Sequence, residues 1–293
     1  MVVVYVICSS CMLVVNKASL QALPFSYTVT MLQTGASALL LLLARSLGAV
    51  SFPNPTVRVM RDWSGILVVW VVPILLNMNA VSRVTVETMM MFRSVTVVAV
   101  ALGDTLLLGS KQGAREISAC ILISLGGIIY AWNDLHFDLV GYTWGLLYSV
   151  SMIVNSIYVK SAFEKQKHIS VWEKTFLNNA LGTPIVIAIA LWREDMAEVV
   201  SQSRGLTVWG AAAVLASCFM GLGISMSGVA CRSVLSATSF DVLGNCTKYL
   251  TLAISALMGS TNSTASILGI VVALGGCGLY SPAGAKVCNT LFG

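Results

Sequence analysis

The feature that most constrains this chain is a series of ten long apolar segments separated by short polar loops. The segments fall near residues 2–22, 25–47, 63–82, 85–108, 114–132, 139–161, 171–192, 205–229, 234–257 and 263–282. A transmembrane helix needs about 20 apolar residues, and each segment is close to that length. The chain is 57% hydrophobic and 10% charged, whereas a soluble domain is about 25% charged. The sequence therefore predicts an all-α membrane protein with ten transmembrane helices.

The apolar segments leave little room for any other domain. Ten spans would use roughly 200 residues of the 293 in the chain, so the loops must be short. We therefore expect residues 1–293 to form a single transmembrane domain.

A weak internal repeat divides this domain into two halves. A shift of 150 residues aligns LLLGS with ALMGS and Gly126 with Gly276, and it pairs the fourth segment with the ninth. Five spans per half place the halves in opposite orientations, and such inverted repeats hold a substrate site near the bilayer midplane between them. We expect two inverted five-helix repeats, about 1–135 and 136–293.

The distribution of lysine and arginine predicts the orientation of the chain. If the N-terminus is cytosolic, eleven of the 17 basic residues fall toward the cytosolic side. The opposite side holds four, namely Lys17, Arg83, Arg193 and Arg204. Cytosolic loops carry an excess of positive charge, and an even number of spans returns the C-terminus to the same side. Both termini are therefore expected in the cytosol.

The ninth segment contains the most unusual residue of the chain. In SATSFDVLGNCTKYL, Ser236 to Leu250, Lys248 lies about halfway along a predicted span, where a charge costs a few kcal/mol or more. Gly244 lies one turn earlier and Thr247 is adjacent, so one face combines close backbone approach, a hydroxyl and a positive charge. That face suits an anionic solute. The alternative is a lysine that reaches the interface or pairs with a carboxylate.

Two further polar groups lie inside predicted spans. FLNN, Phe176 to Asn179, places Asn178 and Asn179 about 100° apart on one helix. One amide could therefore brace neighbouring helices while the other faces a cavity; helix–helix hydrogen bonding by both is the alternative. Arg93 is a second cation in the corresponding repeat helix, and pairing with Asp241 is the alternative for it.

Other chemistry is sparse. Cys8 and Cys11 form a CxxC on an apolar segment without a second pair or a nearby histidine, which favours free buried thiols. No segment carries HExxH, GxSxG or a paired acid and base, so we expect neither an enzyme nor a metal or other cofactor. The basic residues form no patch interleaved with aromatics, which argues against nucleic acid as a partner.

Read together, three motifs resemble a known family. YVICSSCMLVVNKASL, beginning at Tyr5, resembles the first helix of nucleotide-sugar transporters of the drug/metabolite transporter superfamily, especially the GDP-mannose branch. SATSFDVLGNCTK and FLNN resemble the two signatures of that branch, GALNK and FYNN. The resemblance covers nearly the whole chain and includes the ten-helix count. It implies that the chain is a single transporter domain.

The resemblance also implies roles for particular residues. Asn178 and Asn179 match the FYNN asparagines associated with guanine, and Gly244 and Lys248 match the ends of GALNK, associated with the sugar-phosphate end. The remaining matches are Tyr5 on the first helix and Ser225 on the eighth segment; with Phe240 and Thr247 they complete the expected substrate-binding set.

Three positions depart from the family pattern. Leu177 and Phe240 stand where the family has tyrosines, and Thr247 stands where GALNK has asparagine. Asn245 supplies an amide two positions earlier, but two residues along a helix are about 200° apart. Asn245 therefore cannot simply replace the missing asparagine.

The function implied by the resemblance is antiport in the Golgi membrane, with a nucleotide sugar, of GDP-mannose type, entering the lumen and a nucleoside monophosphate, GMP, returning. The expected partners are these two solutes and the lipid bilayer, with a homodimer as an option. Three alternatives stay open: a UDP-sugar transporter, an organophosphate exchanger of the same superfamily, and a membrane scaffold that transports nothing.

Overall fold

The computed structural model describes residues 1–81, 83–132, 138–257 and 263–281. These residues form eleven α-helices and no β-strand. The helices are α1 (Val2–Ala22), α2 (Ser26–Ser46), α3 (Val57–Val81), α4 (Val86–Leu108), α5 (Ala114–Ala131), α6 (Leu139–Lys165), α7 (Val171–Arg193), α8 (Met196–Arg204), α9 (Val208–Val234), α10 (Ala237–Leu257) and α11 (Thr264–Tyr280). The prediction of an all-α protein is confirmed for this part of the chain.

The predicted count of ten helices is not confirmed, because the described residues contain eleven. The additional helix is α8, which has only nine residues and the polar sequence MAEVVSQSR. Asp195 begins it by accepting a hydrogen bond from the backbone N–H of Ala197 at 2.9 Å, as an N-cap residue does. Apolar length did not predict α8, because this helix is short and polar and is stabilised by its N-cap residue.

Eight of the described helices are long and apolar enough to cross a membrane, by length and composition: α1 to α7 and α9. Helix α11 has 17 residues and is shorter than the others. Helix α10 is 21 residues long but carries polar and charged residues that lower its mean hydropathy. Large apolar side chains such as Leu39, Leu106 and Leu215 lie on exposed helix faces, as expected for surfaces that contact lipid.

The chain forms two compact units. The first unit comprises Met1–Leu67 and Gln166–Val234, and the second comprises Val68–Lys165 and Leu235–Gly293. Each unit therefore combines segments from both predicted repeat halves. The single transmembrane domain and the division into halves stay predictions.

In the first unit, α1 packs against α9, and α2 packs against α7 and α9. The carboxylate of Glu194, directly after α7, accepts hydrogen bonds from the backbone N–H groups of Tyr27 and Thr28 at 2.7 and 2.9 Å. It also accepts one from the Thr28 hydroxyl at 2.6 Å. A carboxylate at a helix N-terminus satisfies free N–H groups and complements the helix dipole. Glu194 thus fixes the end of α7 to the start of α2.

In the second unit, α5 and α11 approach closely through glycines. A Cβ atom added to Gly126 would lie 2.7 Å from the carbonyl oxygen of Gly269, and one added to Gly276 would lie 2.9 Å from that of Ala119. Close backbone approach through small residues is typical of membrane helix pairs. The 150-residue shift converts one of these two contacts into the other, because Gly126 corresponds to Gly276 and Ala119 corresponds to Gly269. The contact is therefore reciprocal between the two predicted repeats.

A buried carboxylate holds the start of α10 in the second unit. Asp104, near the end of α4, accepts hydrogen bonds from the backbone N–H and the hydroxyl of Thr238 at 3.0 and 2.7 Å. Both residues are buried. Sequence reasoning missed Asp104, although an acidic residue inside a predicted span is as costly as Lys248 and could have been found in the same way.

Replacing Asp104 with alanine should destabilise the second unit. The variant leaves the Thr238 N–H and hydroxyl buried without their acceptor, which costs about 1–3 kcal/mol per group. Asp104→Asn keeps one acceptor oxygen and should cost less. Thermal unfolding in detergent would measure both, with Asp62→Ala as the control because Asp62 is exposed in a 3.9 Å surface pair with Arg61. An Asp104→Ala variant as stable as wild type would contradict this role.

Candidate functional site

The predicted site residues fall into two clusters, one in each unit. The asparagine cluster lies in the first unit and consists of Tyr5 on α1, Asn178 and Asn179 on α7, and Ser225 on α9. The lysine cluster lies on α10 of the second unit and consists of Phe240, Gly244, Thr247 and Lys248.

Asn179 connects two helices of the first unit. Its Nδ2 group donates to Ser225 Oγ at 2.7 Å and to the carbonyl oxygen of Thr175 at 2.8 Å. The side chain is 4% exposed, and both of its donor hydrogens are used by these bonds. Among the residues described, Oδ1 of Asn179 has no hydrogen-bond donor. Asn179 therefore braces α7 against α9 and keeps one acceptor.

Asn178 differs from its neighbour. It is half-buried, and its side chain makes no hydrogen bond within the part of the chain that the structure describes. Because adjacent helical residues point about 100° apart, Asn178 lies off the face that Asn179 turns toward α9. Its amide thus retains both donors and its acceptor for a ligand.

Tyr5 completes the asparagine cluster by contact with α9. The Tyr5 ring lies 3.6 Å from the position that a Cβ atom on Gly228 would take. Gly228 follows Ser225 by three residues, so both occupy one face of α9. The first unit therefore places the Tyr5 ring against the face of α9 that carries Ser225, the partner of Asn179.

In the lysine cluster, Thr247 and Phe240 are more deeply buried than the charged residue Lys248. The Thr247 hydroxyl donates to the carbonyl oxygen of Leu243 at 2.9 Å, and Thr247 is only 1% exposed. Phe240 is also buried. Lys248 is half-buried and forms no hydrogen bond or salt bridge with any residue that the structure describes. Pairing of Lys248 with a carboxylate is therefore not observed in that part of the chain.

Two polar residues that precede Lys248 on α10 are held by hydrogen bonds within the second unit. Asp241 accepts a hydrogen bond from Ser156 Oγ on α6 at 3.0 Å. Asn245 donates from Nδ2 to the Asp241 carbonyl oxygen at 3.0 Å, and its buried Oδ1 has no hydrogen-bond partner among the described residues. The Ser156 contact was not expected from sequence, because helical spacing does not show which side chains meet on different helices.

The cysteines agree with the sequence prediction only in part. Cys8 and Cys11 are free, but Cys8 is half-buried and Cys11 is exposed, so the prediction of buried thiols is wrong for this pair. Cys246 and Cys277 form a disulfide between α10 and α11 that sequence reasoning did not single out. No group of three His, Cys, Asp or Glu residues in the described ranges could hold a metal ion.

Long apolar helices with polar clusters between them define a polytopic α-helical membrane protein. The model of the Triose-phosphate Transporter family matches residues 1–281, and the chain belongs to this family.

Curated relatives in this comparison are named as transporters of GDP-sugars. The chain is 29% identical to GDP-fucose transporter 1 of Arabidopsis thaliana over 90% of this chain and 79% of the relative. It is 25% identical to the GDP-mannose transporter GONST3 of the same plant over 97% and 78%, respectively. Identity to the GDP-mannose transporter of Yarrowia lipolytica is 23% over 92% and 88%. The resemblance to nucleotide-sugar transporters is confirmed.

The fold is also shared with a solved protein. One crystal structure superposes with a TM-score of 0.72 and covers 100% of this chain and 97% of its own, at 12% identity. At that identity the likeness shows the fold alone.

Proposed function

We propose that this protein is a nucleotide-sugar antiporter that moves a GDP-sugar into the Golgi lumen in exchange for GMP. The observation that carries the proposal is that relatives named for GDP-fucose and GDP-mannose transport match 90% and 97% of the chain. The amide of Asn178 and the ammonium of Lys248, neither of them bonded within the described residues, offer complementary chemistry for a base and for phosphate. The protein is accordingly a transporter and not an enzyme.

The asparagine cluster suits a guanine base. The Watson–Crick edge of guanine presents an acceptor, O6, followed by two donors, N1–H and the N2 amino group. The amide of Asn178 can donate to O6 and accept from N1–H. The Oδ1 atom of Asn179 can accept from the N2 amino group, since its Nδ2 donors are already used within the first unit. Uracil has no amino donor equivalent to the N2 group of guanine.

The lysine cluster suits the phosphates and the sugar. Lys248 supplies a positive charge inside the membrane-spanning part of the chain, where an anion is its natural partner. Gly244 permits close approach of the ligand to the α10 backbone. Thr247 and Phe240 offer few hydrogen bonds to the sugar, because the Thr247 hydroxyl donates within α10 and the Phe240 ring carries no polar atom.

We also propose ten transmembrane helices in two inverted repeats, with both termini cytosolic. The ten helices other than α8 have 17 to 27 residues each. The reciprocal contact of Gly126 and Gly276 supports the repeat, because a two-fold axis relating α5 to α11 generates such pairs. The excess of basic residues on one side supports the orientation.

An organophosphate exchanger is the second candidate, and the name of the family favours it. Such a protein would need the positive charge of Lys248 but not the two asparagines. Competition by small sugar phosphates as strongly as by GMP would support this second candidate.

The proposed exchange predicts that GMP inside a vesicle accelerates uptake. Without an anion, Lys248 must move through the transport cycle as an uncompensated buried charge, which costs several kcal/mol. Initial uptake of labelled GDP-mannose into GMP-loaded proteoliposomes should therefore exceed uptake into empty ones by about tenfold or more. Vesicles loaded with UMP serve as the matched control. Equal rates in empty and GMP-loaded vesicles would contradict exchange.

A further inference from the structure

Two buried amide side chains of the second unit keep hydrogen-bonding groups that no described residue uses. Asn155 on α6 is 6% exposed, and its side chain makes no hydrogen bond with any residue that the structure describes. Asn245 on α10 is 2% exposed, and its Oδ1 atom has no partner in the same ranges. A buried amide without partners is costly, and most buried polar groups in proteins are paired. The two groups therefore indicate a ligand.

A contact between α6 and α10 shows where the two amides lie. The Ser156 hydroxyl donates to Oδ1 of Asp241 at 3.0 Å and joins the two helices. Asn155 is adjacent to Ser156 in sequence. Asn245 follows Asp241 by four residues, which is about one helical turn, and lies on the same side of α10. Both amides are therefore within about one turn of this hydrogen bond, and Asn245 is three residues from Lys248.

The unused groups match the chemistry of a sugar. The Asn155 amide offers two donors and an acceptor, and Oδ1 of Asn245 offers a further acceptor. Each hydroxyl of a sugar both donates and accepts, so neighbouring hydroxyls can pair with both kinds of group. An ionised phosphate carries only acceptor oxygens and would leave both amide oxygens without a donor. The set therefore fits a sugar and not a phosphate.

We propose that Asn155, together with Asn245, binds hydroxyl groups of the sugar that the nucleotide substrate carries. This inference rests on the proposed function and adds a residue of α6 to the site. It supplies hydrogen bonds that Thr247 and Phe240 do not offer to the sugar. Mannose and fucose both present neighbouring hydroxyls, so the contact strengthens binding of either GDP-sugar.

Ligands with and without the hexose test the proposal. GDP, GDP-mannose and GDP-fucose are titrated against the protein in phosphatidylcholine nanodiscs. Asn155→Leu replaces the amide by an apolar side chain. It should weaken both GDP-sugars by about tenfold or more and change GDP binding by less than about twofold. The readout is the ratio of GDP-sugar to GDP affinity, because a general disturbance of the fold would weaken all three ligands together.

Ser149→Ala is the matched control. Ser149 is a buried polar residue of the same helix, but its hydroxyl already donates to the carbonyl oxygen of Phe92 at 3.3 Å. Its removal should leave the ratio of GDP-sugar to GDP affinity unchanged.

Thermal unfolding without ligand gives a second readout. Replacing an amide that has no partner by an apolar group is neutral or stabilising, so Asn155→Leu should unfold at the temperature of wild type or above it. A lower unfolding temperature together with equal weakening of GDP and both GDP-sugars would show that Asn155 is structural, with ordered water as its partner. That result would overturn the proposal.

The outcomes separate this inference from the proposed function. If wild type binds none of the three ligands, the proposed function fails, and the sugar contact fails with it. If wild type binds them and Asn155→Leu keeps the ratio of GDP-mannose to GDP affinity, the sugar contact is overturned while the proposed function stands. Should Asn155→Leu not fold, Asn155→Ala decides, and a ratio equal to that of wild type overturns the proposal.

Discussion

Lys248→Ala is expected to abolish transport while the protein still inserts and folds. The substitution removes the charge proposed to bind phosphate, and hydrogen bonds to charged groups are worth about 1.5–3 kcal/mol each. It should not harm insertion, because removing a charge makes a membrane helix easier to insert. Uptake of labelled GDP-mannose into GMP-loaded proteoliposomes should fall to the level of protein-free vesicles. Yield and thermal unfolding in detergent should match wild type.

Two further variants make this prediction specific. Lys248→Arg should also transport poorly, since a planar fork does not replace a compact ammonium in a fitted site. Lys160→Ala is the control: Lys160 lies in the same unit, and its ammonium already pairs with Glu164 at 3.4 Å. Its removal should leave uptake near normal. Near-normal transport by Lys248→Ala would show that the lysine is structural.

Asn178→Ala is expected to weaken binding of every guanosine nucleotide by about 10- to 100-fold, the equivalent of about 1.4–2.8 kcal/mol. The reason is that the donors and acceptor of the Asn178 amide are all available for a base within the described part of the chain. Asn179→Ala should lower thermal stability as well, because it removes the hydrogen bonds to Ser225 and Thr175. Competition of labelled uptake and thermal unfolding would separate the two effects.

Inosine monophosphate tests the role of Asn179 directly, since its base lacks only the N2 amino group of guanine. Wild type should prefer GMP over IMP by about tenfold, the value of one hydrogen bond of about 1.4 kcal/mol. Asn179→Ala should bring this ratio close to one. Uridine and cytidine nucleotides should compete poorly in wild type. Displacement of the label by UMP as effective as displacement by GMP would refute the guanine assignment.

Sugar selectivity should be weaker than base selectivity. Thr247 donates its hydroxyl to the α10 backbone, and Phe240 lacks the phenolic hydroxyl of the family pattern. We therefore expect GDP-mannose and GDP-fucose to differ by less than about tenfold in competition. A strong preference for one GDP-sugar would contradict the argument from Thr247.

The sequence by itself determined the class of the protein and most helix boundaries. The predicted segment 2–22 coincides with α1, and 85–108 differs from α4 by one residue. Such agreement is expected because the length of an apolar run and the residues that end it are local properties. The cost of a buried charge or amide is also local, so Lys248 and the two asparagines stand out within their apolar segments.

Only the tertiary structure decided how these residues are used. Asn179 donates a hydrogen bond to Ser225, while the Asn178 side chain makes no hydrogen bond among the described residues. Asp104 holds the start of α10 by accepting hydrogen bonds from Thr238, and a hydrogen bond connects Ser94 on α4 with Tyr249 on α10. Helix α8 is stabilised by a capping residue, which apolar length does not reveal. These outcomes depend on which helix faces meet, and residues 46 to 155 positions apart leave no signal of their contact in a single sequence. Apolar length brings helices into a membrane, but the pairing of buried polar groups selects their partners.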